Sequence, residues 1–424
     1  MNKNLVQRDV FPSILSSLSE KEITVIIGPR QTGKTTILSQ LKEHMIEKQN
    51  IPAQKIKIFN LDLMTDLALF SSQTDFLKYL EDELKIHKNL YLFIDEAQRL
   101  ENPGLFLKGI YDQTLPVKFV VTGSSSLEMK SKFSESLAGR KRIFRVYPFS
   151  FFEFLKHKDP TLFKILSTSD KISSYHHNHI LSYLYNFIIF GGYPRIVLEE
   201  NKEQKIKLLE EIYSSYIERD IIGFMRIKNP FAFNRLVTLL AGQIGQMTNF
   251  HEICTTIKMN YRTLENYLSI LENTFILSLV RPYATNLRKE LTKMPKVYYV
   301  DTGFRNFALK DFTNFENHRD RGSLLENFCY SEFSKRWNGA IYFWRTKEKA
   351  EVDFVLKDYY GNIIPLEIKA QEMSKPSITR GLQSFIKTYP VKKAYVINLA
   401  LKEKIMLNST QIEFIRPYEI LSIT

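Results

Sequence analysis

Gly28-Pro29-Arg30-Gln31-Thr32-Gly33-Lys34-Thr35 stands between an apolar run, Ile23-Thr24-Val25-Ile26-Ile27, and Thr36-Ile37-Leu38-Ser39-Gln40-Leu41, where apolar residues recur at helical spacing. The order is buried strand, glycine loop and helix start, with G-x-x-x-x-G-K-T filling the loop. Two glycines let the backbone curl so that successive N–H groups cradle phosphate oxygens, and the helix N-terminus adds its partial positive charge. Residues Gly28, Pro29, Arg30, Gln31, Thr32, Gly33, Lys34, Thr35 and Thr36 are therefore expected to hold ATP. Lys34 would reach the β/γ-phosphates and the Thr35 hydroxyl would ligate Mg²⁺. A glycine turn ahead of a surface helix would leave Lys34 and the two threonines unexplained.

Leu90-Tyr91-Leu92-Phe93-Ile94-Asp95-Glu96 is a continuous apolar run ending in two acids. A buried parallel strand delivers carboxylates to the C-terminal sheet edge in this way. Asp95 would hold the Mg²⁺ shell and Glu96 would polarise the attacking water, which points to hydrolysis rather than binding alone. A further strand, Val117–Val121, runs into Thr122-Gly123-Ser124-Ser125-Ser126, where Ser124 is the first choice to touch the γ-phosphate or the water and Thr122 the reserve. A serine-rich turn capping the next helix is the competing reading. In Leu137-Ala138-Gly139-Arg140-Lys141-Arg142-Ile143-Phe144-Arg145, Arg140 is the candidate for transition-state charge, in cis or from a neighbouring subunit. A solvated basic turn, or phosphate contacts to DNA, would explain the same residues.

Gly28–Thr35, Leu92–Glu96, Val121–Ser125, Gly139-Arg140 and the aromatic stretch Tyr147-Pro148-Phe149-Ser150-Phe151-Phe152-Glu153-Phe154 occur in that order. The set resembles the AAA-type P-loop ATPases of bacteria and archaea that carry an uncharacterised C-terminal region. The resemblance implies a P-loop sheet of strand order 5-1-4-3-2, with residues 1–155 as the ATPase core and residues 156–240 as a helical lid or linker. The aromatic stretch has no catalytic reading and is expected in the core.

The 424 residues allow two to four domains, and 44% hydrophobic with 25% charged residues is ordinary for a soluble globular chain. A formal net charge of +13 favours a polyanionic partner, nucleic acid first. Cys254 and Cys329 lack metal or disulfide spacing, the N-terminus lacks a signal-peptide core, and no apolar run approaches membrane-spanning length. A cytoplasmic protein with no membrane partner is expected, while its oligomeric state stays open. His176, His177 and His179 read as a polar loop, because no acid or cysteine stands near them in sequence.

Phe250–Ile257, the turn Lys258-Met259-Asn260 and Tyr261–Leu271 have the spacing of a helix-turn-helix. Phe275–Val280 and Lys296–Val300 would be wing strands joined by a segment carrying Arg281, Arg288, Lys289 and Lys293. This winged helix, residues 241–312, would bind DNA with Arg262 and Asn266 in the groove and wing cations on phosphates. Packing or protein docking is the alternative use of the same unit.

Residues 313–424 carry a helix with Glu326, a strand with Asp353, and Glu367-Ile368-Lys369 on a following strand. Positions i and i+2 share one face of a strand, so Glu367 and Lys369 point the same way. Asp353, Glu367 and Glu326 would bind a divalent metal, and Lys369 would stabilise hydroxide or the phosphorane charge. The helix–strand–hairpin order with D…E-x-K resembles the restriction-endonuclease-like PD-(D/E)XK fold, although Val352 replaces the usual proline, and Gln383 matches a glutamine of Holliday-junction-resolvase relatives. The whole chain thus reads as a multidomain α/β protein with a parallel-sheet ATPase core, a helical segment, a winged helix and a nuclease-like α/β domain. Its expected function is a Mg²⁺-dependent ATPase coupled to DNA binding, with metal-dependent cleavage as a further step. The competing reading is a nucleotide-dependent switch that docks a protein partner and has an inactive nuclease-like domain.

Overall fold

The apolar run ahead of the glycine loop forms β1 (Ile23–Gly28), a strand buried along its whole length. It is joined by β2 (Ile56–Asn60), β3 (Leu90–Asp95), β4 (Val117–Ser124) and β5 (Lys141–Arg145). The spatial order is β2-β3-β4-β1-β5 and every neighbouring pair is parallel, as the AAA-type resemblance implies. Parallel strands need covered faces. Ile37, Leu38, Leu41 and Met45 of the helix Lys34–Gln49 close one core with Ile26, Phe93 and Val120, joined by Phe11 and Ile14 from the N-terminal lead-in. On the far edge Phe59, Phe70, Phe76 and Phe106 stack as an aromatic cluster, with ring centroids 4.4–6.4 Å apart.

This computed structural model describes residues 6–124, 137–169, 171–223, 227–284 and 293–423. The chain divides into one unit of Met1–Phe149 with Asn273–Phe275, which holds the parallel sheet, and a second of Ser150–Glu272 with Ile276–Thr424.

The second unit begins with helices. Ser150 and Glu153 form a reciprocal capping box on Phe151–Lys158, and Phe151, Phe152 and Phe154 are buried there as core residues. The three histidines are not in a loop. They lie in the first turns of the helix Ser174–Phe190, where Ser173 caps the chain, His177 Nδ1 meets Tyr418 Oη at 2.7 Å and His179 stacks on Tyr183. Tertiary partners distant in sequence override the polar composition.

Phe250–Ile257 and Tyr261–Asn273 are helices on either side of the turn Lys258–Asn260, and Ile253, Ile257, Leu264, Leu268 and Leu271 are buried between them. β6 (Leu277–Val280) and β7 (Lys296–Tyr299) pair antiparallel. A six-stranded mixed sheet follows, in the order β12-β13-β11-β10-β9-β8. Its strands are β8 (Gly339–Arg345), β9 (Glu351–Asp358), β10 (Ile363–Lys369), β11 (Lys393–Asn398), β12 (Glu403–Leu407) and β13 (Thr410–Ile415). β9 and β10 form the expected hairpin, and the helix Arg380–Thr388 packs Leu382, Phe385 and Ile386 on the sheet. No helix among the described residues is long and apolar enough to cross a membrane.

Candidate functional site

The strand order leaves only β4 between β1 and β3, so the glycine loop and the two acids emerge from nearby strand ends. A side chain at Gly28 would place a Cβ 2.1 Å from the Val146 carbonyl oxygen, which excludes any other residue. Gln31 and Gly33 take φ values of 60° and 93°, alternating the direction of successive N–H groups into an anion-binding concavity. Lys34 is buried, and its ammonium donates to the Gly28 and Pro29 carbonyls at 3.0 and 2.8 Å. Thr35 Oγ1 donates to Asp95 Oδ2 at 2.6 Å. Thr36 follows in the first helical turn, and Thr32 Oγ1 donates to the Pro29 carbonyl at 2.8 Å.

Thr122 bridges the two acids. Its hydroxyl donates to the Asp95 carboxylate and accepts from the Glu96 N–H at 3.2 Å. Glu96 has φ 58°, a left-handed conformation uncommon outside glycine, and its carboxylate accepts from the Gln98 amide. Ser124 ends β4 in register with Gly28, and its side chain lies outside the described ones. Of the two hydroxyls weighed for this strand, the described contact to the acids is made by Thr122.

Arg140 is not brought to the loop. Its carbonyl accepts from Ile23 N at 2.8 Å, at the start of β1, and its guanidinium donates to Asp112 Oδ1 at 2.8 Å. β1 runs away from that point for about 16 Å at the usual rise per residue before the loop begins. The role in cis is therefore withdrawn, because a residue that opens β5 lies at the opposite sheet edge from one that follows β1.

Arg8 was not legible as a site residue. It is buried, donates to the Thr32 carbonyl and the Tyr147 carbonyl at 2.7 Å each, and lies 4.7 Å over the Phe149 ring. It fixes the outer wall of the loop, and no local motif signals it.

The second unit gathers a different set of carboxylates. Asp353 on β9 accepts from Ile368 N at 2.7 Å, and Glu367 on β10 accepts from Lys369 Nζ at 2.6 Å. Burial and the neighbouring Asp353 push Glu367 up to about 7 against the pull of Lys369. Burial likewise raises Asp353. Glu367 Oε2 is buried and makes no hydrogen bond of good geometry among the described residues, while the Thr379 hydroxyl stands near the same carboxylate and works with Lys369 to lower it.

Glu326 does not complete it. Lys296 Nζ stands 3.1 Å from Glu326 Oε1 and 2.6 Å from Glu351 Oε1, and the Tyr298 hydroxyl donates to Glu326 Oε1 at 2.5 Å. Gly245, with φ 72°, packs so closely that an added Cβ would meet the Glu326 carboxylate at 3.0–3.3 Å. Burial still pushes Glu326 up to about 7 despite that ammonium. Among the described residues no group of three or more His, Cys, Asp or Glu side chains is arranged to hold a metal. The expected three-carboxylate cluster is therefore not preformed: Asp353 and Glu367 stand together with Lys369, while Glu326, near enough to feel the Asp353 charge, is held by a lysine of β7 that it shares with Glu351.

Arg262 and Asn266 are exposed on the helix Tyr261–Asn273, while Arg288 and Lys289 lie outside the described residues. Gln383 is exposed and donates to the Ile378 carbonyl at 3.2 Å.

The parallel sheet, the curled loop and the Thr35–Asp95 contact define a P-loop nucleotide-binding module. Residues 20–155 match an AAA domain, and residues 181–315 and 321–414 match two domains of unknown function, DUF8612 and DUF4143. An uncharacterized protein of Methanocaldococcus jannaschii is 26% identical over 395 residues, covering 90% of this chain and 82% of that one. An uncharacterized protein of Haemophilus influenzae is 25% identical over 344 residues, covering 79% and 80%. Among solved structures, the Aeropyrum pernix ORC1 protein in complex with DNA aligns at 12% identity and a TM-score of 0.31, over 72% of this chain and 93% of that one.

Proposed function

We propose that the chain is a Mg²⁺-dependent ATPase whose nucleotide state governs engagement of DNA. The observation that carries the ATPase reading is the hydroxyl–carboxylate chain Thr35–Asp95–Thr122 beside the Glu96 backbone. Thr35 and Asp95 would hold the Mg²⁺, which supplies charge neutralisation on the phosphates when bound. Lys34 exchanges its two loop carbonyls for phosphate oxygens, and the curled N–H groups wrap the same anion. Thr122 sets the orientation of Asp95 and the backbone of Glu96. Glu96, released from Gln98, accepts the proton of the attacking water.

The finer organisation belongs to the same proposal: an AAA-type core in residues 1–155, a helical region in 156–240, a winged helix in 241–312 and a nuclease-like domain in 313–424. The net charge of +13 and the exposed Arg262 and Asn266 support DNA as the partner. The juxtaposition of Asp353, Glu367 and Lys369 on the β9–β10 hairpin supports metal-dependent cleavage. The pairing of Glu326 with Lys296 supports the other reading, a nucleotide-dependent switch for a protein partner with a silent nuclease-like domain. ATP turnover with and without DNA, and plasmid nicking with Mg²⁺ and ATP, decide between them. DNA-stimulated turnover is expected. Turnover indifferent to DNA, together with intact plasmid, would leave the switch.

A further inference from the structure

A cavity of about 790 Å³ opens where three pieces of the second unit meet. These are the segment entering the helix Pro230–Ala241, the turn Lys258–Asn260 and the first turns of the helix Tyr261–Asn273. Lys228, Lys258 and Arg262 line it, with amides at Asn229, Asn260 and Asn266 and no carboxylate among the described residues of its wall. Among the described residues none of these three cations joins an ion pair, whereas Lys158 and Lys404 of the same unit meet Glu200 and Glu413 at 2.6 and 3.1 Å. Cations gathered around a concavity focus a positive potential into it, which favours an anionic occupant.

The backbone contributes as well. Asn229 accepts from Ala232 N at 3.0 Å and Asn260 from Thr263 N at 2.8 Å, so each caps a helix that begins at the cavity. Each cap leaves other first-turn N–H groups without an acceptor inside its helix. Lys258 stands at φ 60°, where glycine or asparagine is the usual residue, so a lysine occupies the turn against backbone preference. Buried Tyr267, packed edge-on against Phe233, forms an apolar part of the wall.

We propose that this cavity seats the phosphodiester backbone of a nucleic-acid strand, with Lys228 and Lys258 clamping phosphates beside Arg262. The proposal rests on the DNA reading above and adds two residues that it does not use, one of them outside the helix-turn-helix. A phosphate is the matching chemistry because three cations and two helix starts all donate and none accepts.

The test is fluorescence anisotropy of labelled single- and double-stranded oligonucleotides with the full chain, across roughly 50 to 200 mM salt. Lys228→Gln with Lys258→Gln should weaken binding at least about tenfold and flatten the log–log salt slope by about 2, at an unchanged thermal midpoint. Lys228→Arg with Lys258→Arg should restore both. Wild-type binding with an unchanged affinity and slope in the glutamine pair overturns the seat and spares the DNA reading. Absence of any wild-type binding at low salt removes the DNA reading and the seat together. Displacement of DNA by stoichiometric pyrophosphate, in a Lys34→Ala background that silences the phosphate loop, would make a free phosphate compound the occupant and overturn the backbone assignment.

Discussion

Asp95 and Glu326 are both carboxylates drawn out of water, and the protein answers them differently. Asp95 is met by two neutral hydroxyls, Thr35 and Thr122. Glu326 is met by the ammonium of Lys296, which is 2% exposed and also serves Glu351. A hydroxyl can turn from donor to metal ligand without leaving a buried charge behind. An ammonium holds its acid by charge, and removing it strands that acid in a low dielectric. The first arrangement is poised to exchange partners, and the second is a fixed structural pair.

The contrast can be attacked from its chemically active end first. Glu96→Gln should bind ATP with little change while turnover falls about 10²- to 10⁴-fold, as loss of a general base does. Normal turnover in that variant would remove Glu96 as the base. Lys34→Ala should weaken ATP binding by about 100-fold or more in a calorimetric titration, since it removes charge-assisted bonds to the phosphates.

At the fixed end, Lys296→Met should cost about 3–5 kcal/mol in denaturant unfolding, the usual cost of breaking a buried pair. Adding Glu326→Gln to it should return part of that loss, and strict additivity of the two would deny the pairing. The smallest effect is expected at Arg140. Its exposed bridge to Asp112 contributes at most about 1 kcal/mol, and Arg140→Ala should leave ATP turnover of the isolated chain intact. A large loss of turnover would require Arg140 to act across two copies, which the solution mass would reveal.

Both halves of this comparison were legible in unequal measure. Asp95 could be placed because a continuous apolar strand ends at it, and such a strand has one destination in a parallel sheet. The two helices flanking Lys258–Asn260 and the β9–β10 hairpin emerged where periodicity predicts them, since local spacing determines which face each residue occupies. The partner of Glu326 was not legible. Lys296 reads only as the first residue of a wing strand, and its pairing depends on β7 meeting a helix 30 residues further along the chain. Arg140 failed for a related reason. Composition marks a basic turn, but which end of the sheet it occupies follows from strand direction. The histidines of Ser174–Phe190 show the same limit, because the partner of His177, Tyr418, is 241 residues away.

Arg8 gives the nucleotide loop an anchor that lies before any strand of its sheet. It joins the carbonyl of Thr32 in the loop to that of Tyr147, just past β5 near the end of the unit's main segment. A shortened chain beginning at Ile23 would keep every residue of the phosphate motif and lose this clasp. Motif content and foldable boundary therefore differ at this terminus, and any fusion or trimming has to respect the lead-in as part of the machine.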